Sequence, residues 1–157
     1  MQFNSRYARC VTLGLGLWLT ACGGGDDDKD KAAPTDKFVG VWKYTSGTMT
    51  YNCDGDTTTE NVSGNETVSK GSTSDLIITD EDCAYKFDVS GSVASAAAGQ
   101  NCTVTGTITV VSTVSSLVFT TSDGALAHVS GTFNVVLSSG GDSQTCTATL
   151  TGDLQKL

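Results

Sequence analysis

Arginine disappears from this 157-residue chain after Arg9, and histidine and proline occur once each. Beyond Arg6 and Arg9, seven lysines face 17 acidic residues. A nucleic-acid or anionic-lipid footprint needs clustered positive charge, so neither partner is expected. His128 has no partner histidine and the cysteines form no C-x-x-C pair, so no zinc site is expected. There is no G-x-S-x-G, phosphate-binding loop or H-E-x-x-H. No serine, cysteine or acid is placed by motif to complete a triad with His128, which lies on the polar parity of its strand. Carboxylate-pair hydrolases leave no spacing signature, and nothing in this chain points to one. The reading is of a non-enzymatic protein with no catalytic residue, metal or cofactor. Helical periodicity is missing as well; Ala94 to Ala98 comes nearest and is too short. Aromatics make up 7% of the residues, while Thr, Ser and Gly abound, a composition of short strands and turns.

What is present begins at the N-terminus. Arg6 and Arg9 precede the apolar stretch VTLGLGLWL (Val11 to Leu19), and the small residues Thr20 and Ala21 follow it. These are the three parts of a secretory signal. The stretch is far below the roughly 20 residues that cross a bilayer as a helix, and Gly14 and Gly16 weaken any helix there. The run Leu19-Thr20-Ala21-Cys22 resembles the lipobox of bacterial lipoproteins. That resemblance implies cleavage before Cys22, lipidation of Cys22 and tethering to a membrane through the lipid. Cys10 would be lost with the signal peptide, residues 1–21. Gly23, where an aspartate favours inner-membrane retention in many Gram-negative lipoproteins, points by the same resemblance to the outer membrane of the cell envelope. Residues 22–37 are charged, lack apolar periodicity and hold the only proline, Pro34, so they read as a flexible tether.

Residues 38–157 remain as one domain, large enough for a single core. Four cysteines fall within it: Cys53, Cys83, Cys102 and Cys146. An even number in an exported domain reads as two disulfides. Period-two alternation recurs along the domain. It is clearest in Cys83-Tyr85-Phe87-Val89, Cys102-Val104-Gly106-Ile108-Val110, Ala127-Val129-Gly131-Phe133-Val135-Leu137 and Cys146-Ala148-Leu150-Gly152-Leu154. Each is expected to be a half-buried strand with Thr and Ser outside. Leu76-Ile77-Ile78 and Leu117-Val118-Phe119 are shorter candidates. Turn signals such as Asp54-Gly55, Asp80-Glu81-Asp82, Asp123-Gly124 and Gly140-Gly141 separate the runs. Eight or nine strands in hairpin succession predict an all-β domain, a barrel or a sandwich.

Three disulfide connectivities are open. In an up-and-down barrel the first and last strands meet, which favours the nested scheme, Cys53 with Cys146 and Cys83 with Cys102. Chain-entropy reasoning gives about 3 kcal/mol for the short loop and about 4–5 kcal/mol for the long one. If residues 92–98 form their own strand, the strands holding Cys83 and Cys102 are not neighbours. A loop must then bring their Cα atoms within about 7 Å.

The domain opens Phe38-Val39-Gly40-Val41-Trp42-Lys43-Tyr44. Gly40-Val41-Trp42 resembles the G-x-W that begins the first strand of lipocalins and the related avidin-like barrels. The resemblance implies an antiparallel up-and-down barrel of about eight strands, with Trp42 packed across one end. The chain departs from lipocalins in its shorter length, in lacking a C-terminal helix and in having no later lipocalin motif. Barrels of this size are filled by side chains or hold one small ligand. Gly106, Gly131, Ala127 and Ala148, beside Tyr85, Phe87 and Phe133, are the inward candidates. Two roles stand: a tethered carrier of a small apolar ligand, or a filled β-domain serving an envelope protein partner. Asn52, Asp54, Asp56 and Glu60 alternate around the first hairpin without the EF-hand pattern and read as turn acids, not as calcium ligands.

Overall fold

The computed structural model describes residues 34–80 and 82–157. The signal segment, Cys10, Cys22 and the first part of the tether lie outside the described residues. Ten strands follow in order: β1 (Gly40–Cys53), β2 (Asp56–Asn61), β3 (Asn65–Lys70), β4 (Leu76–Thr79), β5 (Ala84–Ser90), β6 (Val93–Ala96), β7 (Asn101–Thr105), β8 (Thr109–Thr120), β9 (Leu126–Ser139) and β10 (Asp142–Lys156). Among the described residues there is no helix.

All pairings are antiparallel and join chain neighbours except for β1–β3 and β6–β8, and β10 returns to pair β1 from Trp42↔Lys156 to Cys53↔Cys146. This makes a closed eight-stranded up-and-down barrel with two extra strands, consistent with a lipocalin-like layout and not with a sandwich. The extra strands arise because two return paths are interrupted. β2 and β3 both run back along β1, parted at Val62-Ser63-Gly64; β6 and β7 both run back along β8, parted at residues 97–100. Each break faces a register shift in the long strand, at Tyr44/Ser46 in β1 and Val114/Ser116 in β8. A bulge bends a strand and sharpens its twist. The halves of β1, β8, β9 and β10 beyond the bulges, flanked by β2 and β7, therefore form a tall wall. β4 and β5 form the short wall.

At the β6–β7 break the ladder is completed by a side chain. Gln100 accepts from the Lys86 amide through Oε1 and donates to the Lys86 carbonyl through Nε2, each at 2.8 Å. The predicted strand through Gly106 and Ile108 is divided instead: residues 106–108 turn between β7 and β8, so Gly106 is not an interior residue. Period-two alternation continued through a two-strand hairpin, and Gly106 marked its turn rather than an inward position. The other alternating runs lie as expected, with Ala127, Val129, Phe133, Val135, Cys146, Ala148, Leu150 and Leu154 all buried.

One end of the barrel is closed by aromatics. Phe38, Trp42 and Phe119 are fully buried or nearly so, Trp42 meets Phe119 edge-on at 5.2 Å, and Trp42 Nε1 donates to the Phe38 carbonyl at 2.7 Å. Trp42 thus crosses the barrel end with its one polar group satisfied. Residues 34–38, partly assigned to the tether by composition, form a turn against this end. Asp36 pairs with Lys70 at 2.7 Å, and the Lys37 carbonyl accepts from Lys156 Nζ.

Cys53 is bonded to Cys146 and Cys83 to Cys102. Cys53 and Cys146 are direct cross-strand partners with Cα atoms 4.3 Å apart, the close spacing of a non-hydrogen-bonded pair. Cys83 sits at the β4–β5 tip, and its bond ties the short wall to β7 over a Cα separation of 5.6 Å. β6 does form a separate strand beside β5; the β4–β5 tip makes the reach to β7 possible.

Candidate functional site

The barrel interior is not filled. A partly open cavity of about 220 Å³ lies above the aromatic plug. Much of its lining is apolar, including Phe87, Leu117, Phe119, Val129, Phe133 and Leu150. The lining also carries Tyr44, Tyr51, Tyr85, Glu66 and Asp80, with Ser112 on β8. Engineered apolar cavities of about 150 Å³ hold benzene, whereas sites for drug-sized ligands run to roughly 300–1,000 Å³. The cavity therefore suits a molecule a little larger than benzene.

Small residues create this space. Ala148 of β10 lines the cavity opposite Tyr51. A Cβ at Gly131 would meet Leu117 Cδ1 at 2.8 Å, so Gly131 lets Leu117 and Phe133 settle against the β9 backbone. Gly47 and Gly152 are register partners on β1 and β10, and the Tyr44 ring lies against both. Ala127 is buried, but nearer the closed end.

The polar rim is set by register. Thr67 of β3 pairs Thr79 of β4, so Glu66 and Asp80 stand one step further along the same pair of strands. Like charges at such positions oppose each other. Burial, reinforced by Asp80, pushes the Glu66 carboxyl up to about 7, against a hydrogen bond from the Tyr44 hydroxyl that pulls it down. Burial and the Glu66 charge keep the Tyr44 phenol protonated far above its ordinary range. Tyr51 is pushed up to about 12, first by burial and then by its hydrogen bond to Glu60. Tyr85 is raised by burial and by the charges of Asp80 and Glu66. Among the described residues, three phenols and two carboxyl groups thus line the cavity, Glu60 backs Tyr51, and no lysine, arginine or histidine is in the lining.

The turn acids distribute differently. Asp54 caps the first hairpin and takes a hydrogen bond from Gln144 Nε2 at 3.3 Å; Asn52 donates to Thr57; Asp56 is exposed on β2. Only Glu60 reaches the cavity, through Tyr51. Among the described residues no group of three His, Cys, Asp or Glu side chains is placed to hold a metal ion. His128 is exposed and pairs with Asp153 at 2.8 Å, and Ser46 Oγ donates to the same carboxylate at 3.1 Å. These bonds hold Asp153 below the usual carboxylate range. Neighbouring hydroxyls are directed at backbone: Thr120 Oγ1 to the His128 carbonyl and Thr45 Oγ1 to that of Asp153. Sequence reasoning missed Tyr44, Glu66 and Asp80. Glu66 lies in a polar run, NETVSK, with nothing local to show that its strand crosses the cavity mouth.

The fold and site define a closed antiparallel β-barrel with a largely apolar cavity whose lining includes acidic and phenolic groups. No family model matches the chain, and no curated protein matches it. Among solved structures, the chain is similar to a protein of unknown function of the DUF3598 family from Nostoc punctiforme. The match has 7% identity and a TM-score of 0.36, over 80% of this chain and 49% of that one. The chain spans about half that protein's length.

Proposed function

We propose that the protein is an exported bacterial envelope lipoprotein, anchored in the outer membrane through Cys22, whose barrel binds one small, largely apolar ligand without chemically changing it. The cavity carries this reading: a carrier needs a dry, shaped interior, whereas a domain serving only a protein partner has no use for one. Export is supported by the signal-like residues 1–21 and by two disulfides, which persist in oxidising compartments. His128 lies outside this cavity, paired with Asp153, which also accepts from Ser46, while the Thr120 and Thr45 hydroxyls are directed at carbonyls.

Native mass spectrometry of gently purified protein, followed by solvent extraction, tests the binding reading. Bound apolar material of a mass suited to the cavity is the expected result; an empty protein that takes up no small aromatic probe sinks it. Metabolic palmitate labelling tests the anchor separately. Labelled wild type and unlabelled Cys22→Ala are expected, and an unlabelled, freely soluble wild type overturns the lipidation.

A further inference from the structure

We infer that the Cys83–Cys102 disulfide is a redox latch on a side door of the cavity, and that its reduction lets the ligand pass between β5 and β7. The inference rests on the reading that the cavity binds a ligand.

The door follows from how the barrel is joined. Among the described residues, backbone ladders link each strand to the next around the barrel, but β5 lacks a second ladder over its first half. Residues 87–90 pair with β6, whereas residues 84–86 pair only with β4. On their other side stands β7, which is laddered to β8 alone. Two side-chain links cross this gap. The Gln100 amide, just before β7, makes two hydrogen bonds to the Lys86 backbone, and Cys102 is bonded to Cys83. A strand edge without a ladder is the part of a barrel wall that opens most readily, since few hydrogen bonds must break.

The gap borders the cavity. Cys83, Tyr85 and Phe87 line the cavity from the β5 side. Ser112 and Val110 line it from β8, where they are the register partners of Cys102 and Val104. Tyr85 also reaches Phe133 of β9, with ring centroids 6.3 Å apart. Parting β5 from β7 therefore moves the lining itself.

The two disulfides differ in this respect. Cys53 and Cys146 lie inside continuous ladders, Cys53 pairing also with β2 and Cys146 with β9, so their strands stay joined when the sulfurs part. Across the β5–β7 gap only the Gln100 bonds would remain. Cys83 is partly exposed, whereas Cys102 is buried. A thiolate of a dithiol reductant attacks Cys83 Sγ, the S–S bond breaks, and Cys102 leaves as a thiolate that takes up a proton. The reductant's second thiolate then displaces Cys83, which is protonated in turn. The reductant departs as a disulfide and both cysteines are thiols.

Stopped-flow exchange of naphthalene with the full chain tests the latch. In Cys83→Ser/Cys102→Ser the association and dissociation rates should both rise about tenfold or more over the oxidised wild type. Kd should stay within about threefold, because a door changes the path and not the walls of the closed cavity. Wild type treated with dithiothreitol until mass mapping shows Cys83 and Cys102 reduced should exchange as fast as the double variant. Adding Gln100→Ala to that variant should quicken exchange about threefold further, as expected for lost hydrogen bonds. Unchanged rates or lost binding in the double variant, no further effect of Gln100→Ala, or reduction of Cys53–Cys146 first, each overturn the latch and leave the carrier reading standing. No naphthalene binding by the oxidised wild type overturns both.

Discussion

The Tyr44 ring lies on Gly152: a Cβ built at that glycine would fall 2.7 Å from Tyr44 Cε1 and 3.0 Å from the Ser46 carbonyl oxygen. Gly152→Ala must therefore push the phenol off its seat, and Gly47 on the neighbouring strand leaves no stiff wall to redirect it. The expected cost is about 1–3 kcal/mol in urea denaturation, the usual range for an overpacked interior. Ligand affinity should fall as well, because Tyr44 carries the hydrogen bond to Glu66. A variant as stable as wild type would show that the ring moves freely.

Glu66 also makes stability depend on pH. Its folded pKa, about 7, lies above the ordinary value of 4.5. Between those values the folded chain binds more protons than the unfolded one, so this residue's contribution to stability falls as pH rises. Glu66→Gln removes the penalty. The variant should be more stable than wild type at about pH 8, by roughly 1–2 kcal/mol once solvent at the mouth is allowed for, and indistinguishable at about pH 4. Thermal midpoints across that range decide it. A gain confined to acid pH would contradict the sign.

The disulfides should differ in worth. Cys53–Cys146 closes a separation of 93 residues and Cys83–Cys102 one of 19. In the chain-entropy account the paired alanine replacements cost about 4–5 and about 3 kcal/mol, respectively. The first also releases the seam where β10 closes on β1. Denaturant midpoints of the two double variants provide the comparison, and a larger loss from the Cys83–Cys102 pair would run against it.

Filling the cavity separates binding from folding. Ala148→Leu places a branched side chain where Ala148 now lines empty space. Small-molecule binding should be abolished while stability changes by less than about 1.5 kcal/mol, since the added carbons enter a void rather than a packed core. Retained binding with full affinity would place the ligand elsewhere.

The alternating strands were legible because one face of each is wet: β9 and β10 repeat apolar and polar residues along most of their length. Cys53 and Cys146 could be paired in advance because closing a meander brings its ends together. The turn at Gly106 was hidden, since the hairpin kept the parity of Cys102 and Val110 on either side of it. β2 was hidden too: every residue of DTTTEN is exposed, so no periodicity marks it. The rim was beyond reach for another reason. Glu66 and Asp80 are 14 positions apart and become neighbours only through the β3–β4 register, which depends on turn geometry more than on either residue.

Gln100 leaves one further consequence, and it concerns which changes the chain can accept. Apart from Asp75, whose Oδ2 accepts from the Val89 amide at 2.7 Å, the rest of the barrel wall is knitted mainly by backbone, so most outward side chains can be exchanged without parting the strands. At Lys86 the knitting passes through an amide two methylenes long. Asparagine is too short to span it, and glutamate would set an acceptor against the Lys86 carbonyl. Mutational drift on this outer surface should therefore be broadly permissive but constrained at Gln100 and Asp75. Faster amide exchange at Lys86 in Gln100→Asn than in wild type would mark the opened stitch.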